Sequence, residues 1–107
     1  MTKKINDNNL YTAIEFRDSG KYKEAQDWLY TFIKSHPNNP EAYSLLSQIL
    51  LLDKKDHESE KYLLIAESLN SELPSIYLNY ARLLLKQSKV KEALVKAKKG
   101  YDLLPDD

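Results

Sequence analysis

Cysteine is absent from the 107 residues. Disulfides, thiolate nucleophiles and cysteine-ligated zinc are therefore excluded, and the redox compartment is left open. Glycine occurs twice, at Gly20 and Gly100, a separation that allows no glycine-rich phosphate loop and no dinucleotide fingerprint. Neither sign of charge is in excess, because Lys plus Arg and Asp plus Glu each number 16, so no global charge draws the molecule to nucleic acid or an anionic membrane. The longest aliphatic run, residues 49–52, is far short of the roughly 20 apolar residues that a membrane-spanning helix needs. The first nine residues contain Lys3 and Lys4 but run into amides instead of an apolar stretch, which leaves no secretory signal and a cytoplasmic location as the expectation. Two histidines occur. His36 precedes Pro37, and His57 sits in Asp53-Lys54-Lys55-Asp56-His57-Glu58, a charged stretch that matches neither an HExxH nor an EF-hand spacing. No serine or threonine can be assigned a histidine base. Neither enzymatic chemistry nor a metal or cofactor is expected.

What is abundant is helix-forming: Ala, Leu, Lys and Glu dominate, with few β-branched residues, which points to an all-α chain. The prolines give its period. Pro40 and Pro74 lie one step of 34 residues apart, and Pro37 and Pro105 lie two. Tyr43 matches Tyr77 at the same step, Phe16 matches Leu50 and then Leu84, Leu69 matches Leu103, and Ala25 reaches Ala93 through Ser59. A single domain over residues 1–107 with repeats 6–39, 40–73 and 74–107 follows. Inside the third repeat, Ile76, Tyr77, Tyr80, Ala81 and Leu84 keep helical spacing, as do Val90, Ala93, Leu94, Ala97, Tyr101 and Leu104 after the polar break Gln87-Ser88-Lys89. Each repeat is thus expected to be two antiparallel helices with those stripes buried. Gly20 suits a left-handed C-cap, Pro40 and Pro74 suit the first helical position, and Asn38-Asn39 offers an N-cap. The spacing predicts helices near 7–18, 22–35, 41–53, 58–70, 75–87 and 90–103.

This pattern resembles the tetratricopeptide repeat (TPR) family. Gly20-Lys21-Tyr22-Lys23-Glu24-Ala25 and His36-Pro37-Asn38-Asn39-Pro40-Glu41-Ala42 are close to that family's most recognisable stretches. The family's small eighth place is filled by Ala13, Ser47 and Ala81, and its twenty-seventh by Phe32, Ala66 and Gly100. Glycine in mid-helix costs about 1 kcal/mol relative to alanine, so Gly100 implies a packing reason. Departures are Asn9 in place of a large aromatic, Lys54 and Asp56 in place of glycine and tyrosine, and Ser71 in place of proline. The resemblance implies a right-handed solenoid of three helical hairpins, six antiparallel helices in all.

It also implies where a partner would bind. In the family the first helices of successive repeats line a concave groove, and the matching positions here are Asp7, Leu10, Ile14, Arg17 and Asp18; Glu41, Ser44, Gln48, Leu51 and Leu52; and Ser75, Leu78, Arg82, Leu85 and Lys86. Leu10, Ile14, Leu51, Leu78 and Leu85 are apolar residues off the stripe packed within each hairpin, and such residues need another cover. Bordered by Arg17, Ser44, Gln48, Asn79, Arg82 and Lys86, they suit a peptide, helix or protein partner with apolar anchors. Members that hold Hsp70 or Hsp90 tails use charged and amide residues as a carboxylate clamp. The corresponding places carry Leu10, Ile14, Leu45, Ser75 and Asn79, so that type is not expected.

Two further readings stand beside the scaffold: an N-terminal or regulatory TPR segment of a larger enzyme such as a transferase, and a homodimerisation module. The last helix reads as a C-terminal cap, with Lys91, Lys96, Lys98 and Lys99 on a solvated face, although Tyr101, Leu103 and Leu104 leave apolar surface for further chain or self-association. Nucleic acid is not the expected partner, because Tyr22, Tyr43, Tyr62, Tyr77 and Tyr101 occupy packing places and are not free to stack on bases.

Overall fold

The computed structural model describes residues 9–106. Six helices occur there and no strand: α1 (Tyr11–Asp18), α2 (Tyr22–Ser35), α3 (Pro40–Leu52), α4 (Asp56–Leu69), α5 (Pro74–Lys86) and α6 (Val90–Asp102). None of them is long and apolar enough to cross a membrane. α1 begins four residues later than expected; residues 7 and 8, with the groove position Asp7, lie outside the described residues. The other ends agree to within two residues.

The turn inside each hairpin is the same object made from different residues. Gly20, Lys54 and Ser88, spaced by 34, all take a left-handed backbone, with φ of 75°, 64° and 63°. In each case the next amide reaches back five residues: Lys21 N to Phe16 O at 2.8 Å, Lys55 N to Leu50 O at 2.8 Å, and Lys89 N to Leu84 O at 2.9 Å. A second bond from the left-handed residue itself, reaching back three residues, accompanies it, which completes the Schellman arrangement and satisfies carbonyls that a helix end would leave open. The missing glycine at Lys54 therefore changes the energy of that turn and not its shape.

The turns between hairpins repeat in the same way. Tyr43 Oη donates to Pro37 O at 2.8 Å, and Tyr77 Oη donates to Ser71 O at 2.6 Å, one repeat on. What the tyrosine needs is a carbonyl, which any residue supplies, so Ser71 can replace the family's proline. Pro40 and Pro74 stand at the first helical position, but only the first has a side-chain cap: Asn39 Oδ1 accepts from Glu41 N and Ala42 N at 3.0 and 3.2 Å.

Packing runs α1 on α2, α3 on α4 and α5 on α6, and each later first helix also rests on the preceding hairpin, α3 on α2 and α5 on both α4 and α3. Two apolar clusters result. Ala13, Ala25, Leu29, Leu46, Ile49 and Leu50 centre the first, and Leu63, Ala66, Ile76, Tyr77 and Leu83 the second, with Ile33 and Tyr62 touching both. Burying each of these leucines or isoleucines contributes about 1.5–3 kcal/mol. The expected close approach within a hairpin is visible at Ser47 and Ser59, both fully buried, where Ser59 Oγ donates to Ser47 O at 2.8 Å.

The stripe on α6 departs from expectation. Only Ala93 and Gly100 of that helix are buried, whereas Val90, Leu94 and Tyr101 are 54, 65 and 66% exposed, and Leu104 is exposed as well. The cause lies in the repeat geometry. Gln26 and Glu67 hold the places of Leu94 and Tyr101 in earlier hairpins and bond to what comes next, Gln26 to Asp53 and Lys55 beyond α3 and Glu67 to Tyr77 of α5, whereas Glu60, also at the place of Leu94, is exposed. Among the described residues no helix follows to cover that face of α6. Its lysines are also not simply solvated. Lys96 Nζ lies 4.9 Å from the Tyr80 ring centroid and Lys99 Nζ 4.4 Å from that of Tyr77, within cation–π range.

Candidate functional site

The first helices share one side of the molecule and leave an open groove of about 530 Å³ along it. Its wall is built at helical spacing: Leu10, Ile14 and Arg17 at α1, Glu41, Leu45 and Gln48 on α3, and Ser75, Leu78, Asn79 and Arg82 on α5, with Leu73 and Pro74 before them and Leu104 closing the far edge. The second helices α2, α4 and α6 contribute no residue to it.

Three solved structures share this arrangement of helices. The first TPR of Spaghetti (RPAP3), solved bound to the HSP90 peptide SRMEEVD, superposes with a TM-score of 0.79 at 22% identity, over 91% of this chain and 77% of that one. MamA (MSR-1 C2) gives 0.72 at 21% identity, over 90% of this chain and 57% of that one. SycD, the type III secretion translocator chaperone of Yersinia enterocolitica in an alternative dimer, gives 0.79 at 15% identity over 94% and 80%.

The fold is the tetratricopeptide repeat.

At these identities the likeness is one of fold, and the chain's sequence matches no family model and no curated protein.

Within this TPR fold, seven of the eleven residues expected to meet a partner lie together in the groove: Leu10, Ile14, Arg17, Gln48, Leu78, Asn79 and Arg82. Four do not. Ser44 is buried between α3 and α5, its Oγ 2.7 Å from that of Ser75. Leu51 is buried in the second apolar cluster. Leu85 is 55% exposed on the outside, at the same place in its repeat as Leu51, which shows what the third hairpin does for the second. Lys86 is committed elsewhere, donating to Leu51 O at 3.2 Å and Asp56 Oδ1 at 2.8 Å. Leu45 and Leu104 supply apolar lining in place of Leu51 and Leu85. Leu45 shares a stripe with Glu41 and Gln48 at i, i+4 and i+7, a signal the sequence carried; Leu104 follows the end of α6, and its stripe pointed to the interior of its own hairpin instead of to the groove.

Charge in the groove is sorted along its length. Glu41 stands in the first turn of α3, while Gln48, seven residues and about 10 Å further on, receives a 2.8 Å bond from Arg17 Nη1. Arg17 Nε donates to Asp18 at 3.0 Å, so that guanidinium is partly neutralised. Arg82 donates through Nη1 to Asn79 Oδ1 at 2.7 Å and has no carboxylate partner among the described residues. Asn79 is itself buried and its orientation is fixed: Nδ2 faces Ser44 O at 3.1 Å, a carbonyl that can only accept, so the amide oxygen must face Arg82.

Gly100 is the hinge between packing and groove. A Cβ there would stand 2.8 Å from Leu78 Cδ2, 3.0 Å from its Cγ and 3.3 Å from Pro74 O. The absent side chain is what lets Leu78 settle against α6 while still forming the groove floor.

Proposed function

We propose that this chain is a protein-interaction scaffold whose concave face holds an apolar peptide, a helix or a protein surface, in a manner distinct from capture of an Hsp70 or Hsp90 tail. The observation that carries the reading is a continuous aliphatic floor, Leu10, Ile14, Leu45 and Leu78, open to solvent within a groove that the hairpins themselves do not fill. The Spaghetti TPR, whose structure contains a bound peptide, supports peptide holding on this fold. The same aliphatic residues argue against a carboxylate clamp, because uncharged side chains cannot make the charge-assisted bonds that a terminal carboxylate requires. Residues 1–107 act as one domain of repeats 6–39, 40–73 and 74–107, in the cytoplasm, without catalysis, cofactor or nucleic acid.

The test is peptide selection. The immobilised chain is offered a displayed random-peptide library, and the enriched peptides are titrated against a variant carrying Leu10→Ser, Ile14→Ser and Leu78→Ser whose helicity and cooperative unfolding are checked first. Selected peptides are expected to share apolar anchors and to lose binding to the variant. No enrichment, or undiminished binding to a folded variant, refutes the reading.

Self-association is the second reading, favoured by the exposed Val90, Leu94 and Tyr101 on one face of α6. SycD, of like fold, was solved as a dimer. Light scattering at micromolar concentration would report a dimer that Leu94→Lys converts to monomer; a monomeric parent chain removes this reading.

A further inference from the structure

The groove has a floor for apolar side chains, but its charged residues say something more about the guest. Arg82 is exposed and is the groove cation with no acidic partner among the described residues. A free surface arginine ordinarily wanders, and its many rotamers must be frozen before it can bind anything. Here the freezing is done within the fold. The donors of Asn79 are engaged by Ser44 O at 3.1 Å and more loosely by Ser44 Oγ and Ser47 Oγ, so its oxygen holds Nη1 of Arg82 at 2.7 Å. That bond uses one of the five guanidinium N–H donors and leaves the others for a ligand. Glu41, the acidic residue lining the groove among the described residues, stands at the opposite end, near the start of α3.

We infer that the guest carries an internal Asp or Glu that seats on Arg82, next to its apolar anchors, with Asn79 as the positioning residue for that guanidinium. This rests on the scaffold reading above and adds to it the chemistry and the direction of the occupant. A carboxylate accepts from arginine in a planar, often two-bonded arrangement, and the apolar floor beside it reduces the water that would screen the pair. A basic side chain at that point of the guest would meet the Arg82 guanidinium and be repelled. At the other end Glu41 favours a basic or amide residue, so an acidic residue and a basic one at opposite ends of the guest fix which way it lies.

Three proteins go through the same displayed-peptide selection: the unaltered chain, Arg82→Met and Arg82→Glu. Because Arg82 is exposed, both variants are expected to keep helicity and unfolding midpoint. The unaltered chain should enrich a motif with apolar anchors and one recurrent Asp or Glu. Arg82→Met should keep the anchors and lose the acidic preference, and Arg82→Glu should replace it by Lys or Arg. Replacing the acidic residue of a selected peptide by its amide should weaken binding about tenfold on the unaltered chain and leave binding to Arg82→Met unchanged. An apolar motif without a recurrent acid, or an acidic preference that persists in Arg82→Met, overturns the inference while leaving the scaffold reading intact. Absence of any enriched motif overturns both.

Discussion

Three turns with one geometry and three different residues make a controlled experiment in backbone strain. A non-glycine residue in the left-handed region costs about 1–2 kcal/mol. Glycine avoids that cost, but its freer unfolded chain returns about 0.4–1 kcal/mol of the advantage. At Gly20 a Cβ would meet nothing within 4 Å, so Gly20→Ala carries no steric term, and only the backbone difference, about 1 kcal/mol of destabilisation, should register. The reverse change, Ser88→Gly, should stabilise by a similar amount, because Ser88 is exposed and its side chain makes no hydrogen bond among the described residues. Lys54→Gly relieves the same strain but also removes a positive charge beside the C-terminus of α3, where it contributes a few tenths of a kcal/mol, so its gain should be the smaller of the two. The turns lie in different hairpins, and combined changes should add. Thermal and urea unfolding read the result, with about 4–8 °C expected per kcal/mol for a chain of this size. A neutral Gly20→Ala together with a destabilising Ser88→Gly would refute the shared left-handed turn and the period with it.

Ala25→Leu and Ala93→Leu should each destabilise by about 1–3 kcal/mol in denaturant titration, since both alanines are buried where paired helices approach. Gly100→Ala sets about 1 kcal/mol of helix propensity against the 2.8 Å clash with Leu78; because Leu78 is only half-buried, it should swing into the groove, leaving stability within about 1 kcal/mol of the parent while a selected groove peptide binds more weakly. The Tyr30 and Tyr80 phenols are pushed up to about 12, by burial first and then by Tyr62 and Glu58 beside Tyr30 and by Glu67 beside Tyr80. Folded protein therefore holds these protons more tightly than unfolded chain, so their stabilisation is complete below about pH 10 and is lost as pH rises through 12. Phenolate absorbance and helicity, followed together, should show unfolding coincident with titration of these two groups.

Much of this architecture was legible because the period constrains the backbone, and the backbone tolerates more sequences than a motif suggests. The step of 34 aligns Gly20 with Lys54 and Ser88, and Pro37 with Ser71, and in each set the structure repeats the conformation or the carbonyl although the residue changes. Substitutions that weaken the family pattern at those positions alter cost, not form. The helix stripes were legible for the same reason wherever a following helix covers them. They misled at α6, where Val90, Leu94 and Tyr101 have the spacing of a buried face and no helix over them. A stripe records that a surface is suited to burial, and it does not say which element buries it.

That distinction also explains which groove residues could be read in advance. Position within one repeat is enough to place a side chain on the concave side, and Ile14, Gln48 and Arg82, in the first helices of three successive repeats, all face the opening. Whether a concave position stays open depends on how closely the next first helix approaches, which no single repeat encodes. Ser44 and Ser75 are small and meet at 2.7 Å, so α5 comes down on α3, closes over Ser44 and carries Asn79 inward with it. Leu51 is covered by the same approach, whereas Leu85, its counterpart, stays exposed. The small residues that draw the helices together are thus the ones that turn an asparagine into a fixed acceptor and an arginine into a held cation. Enlarging Ser75 would separate α3 from α5, free Asn79 and loosen Arg82, while leaving the aliphatic floor of Leu10, Ile14, Leu45 and Leu78 unsubstituted.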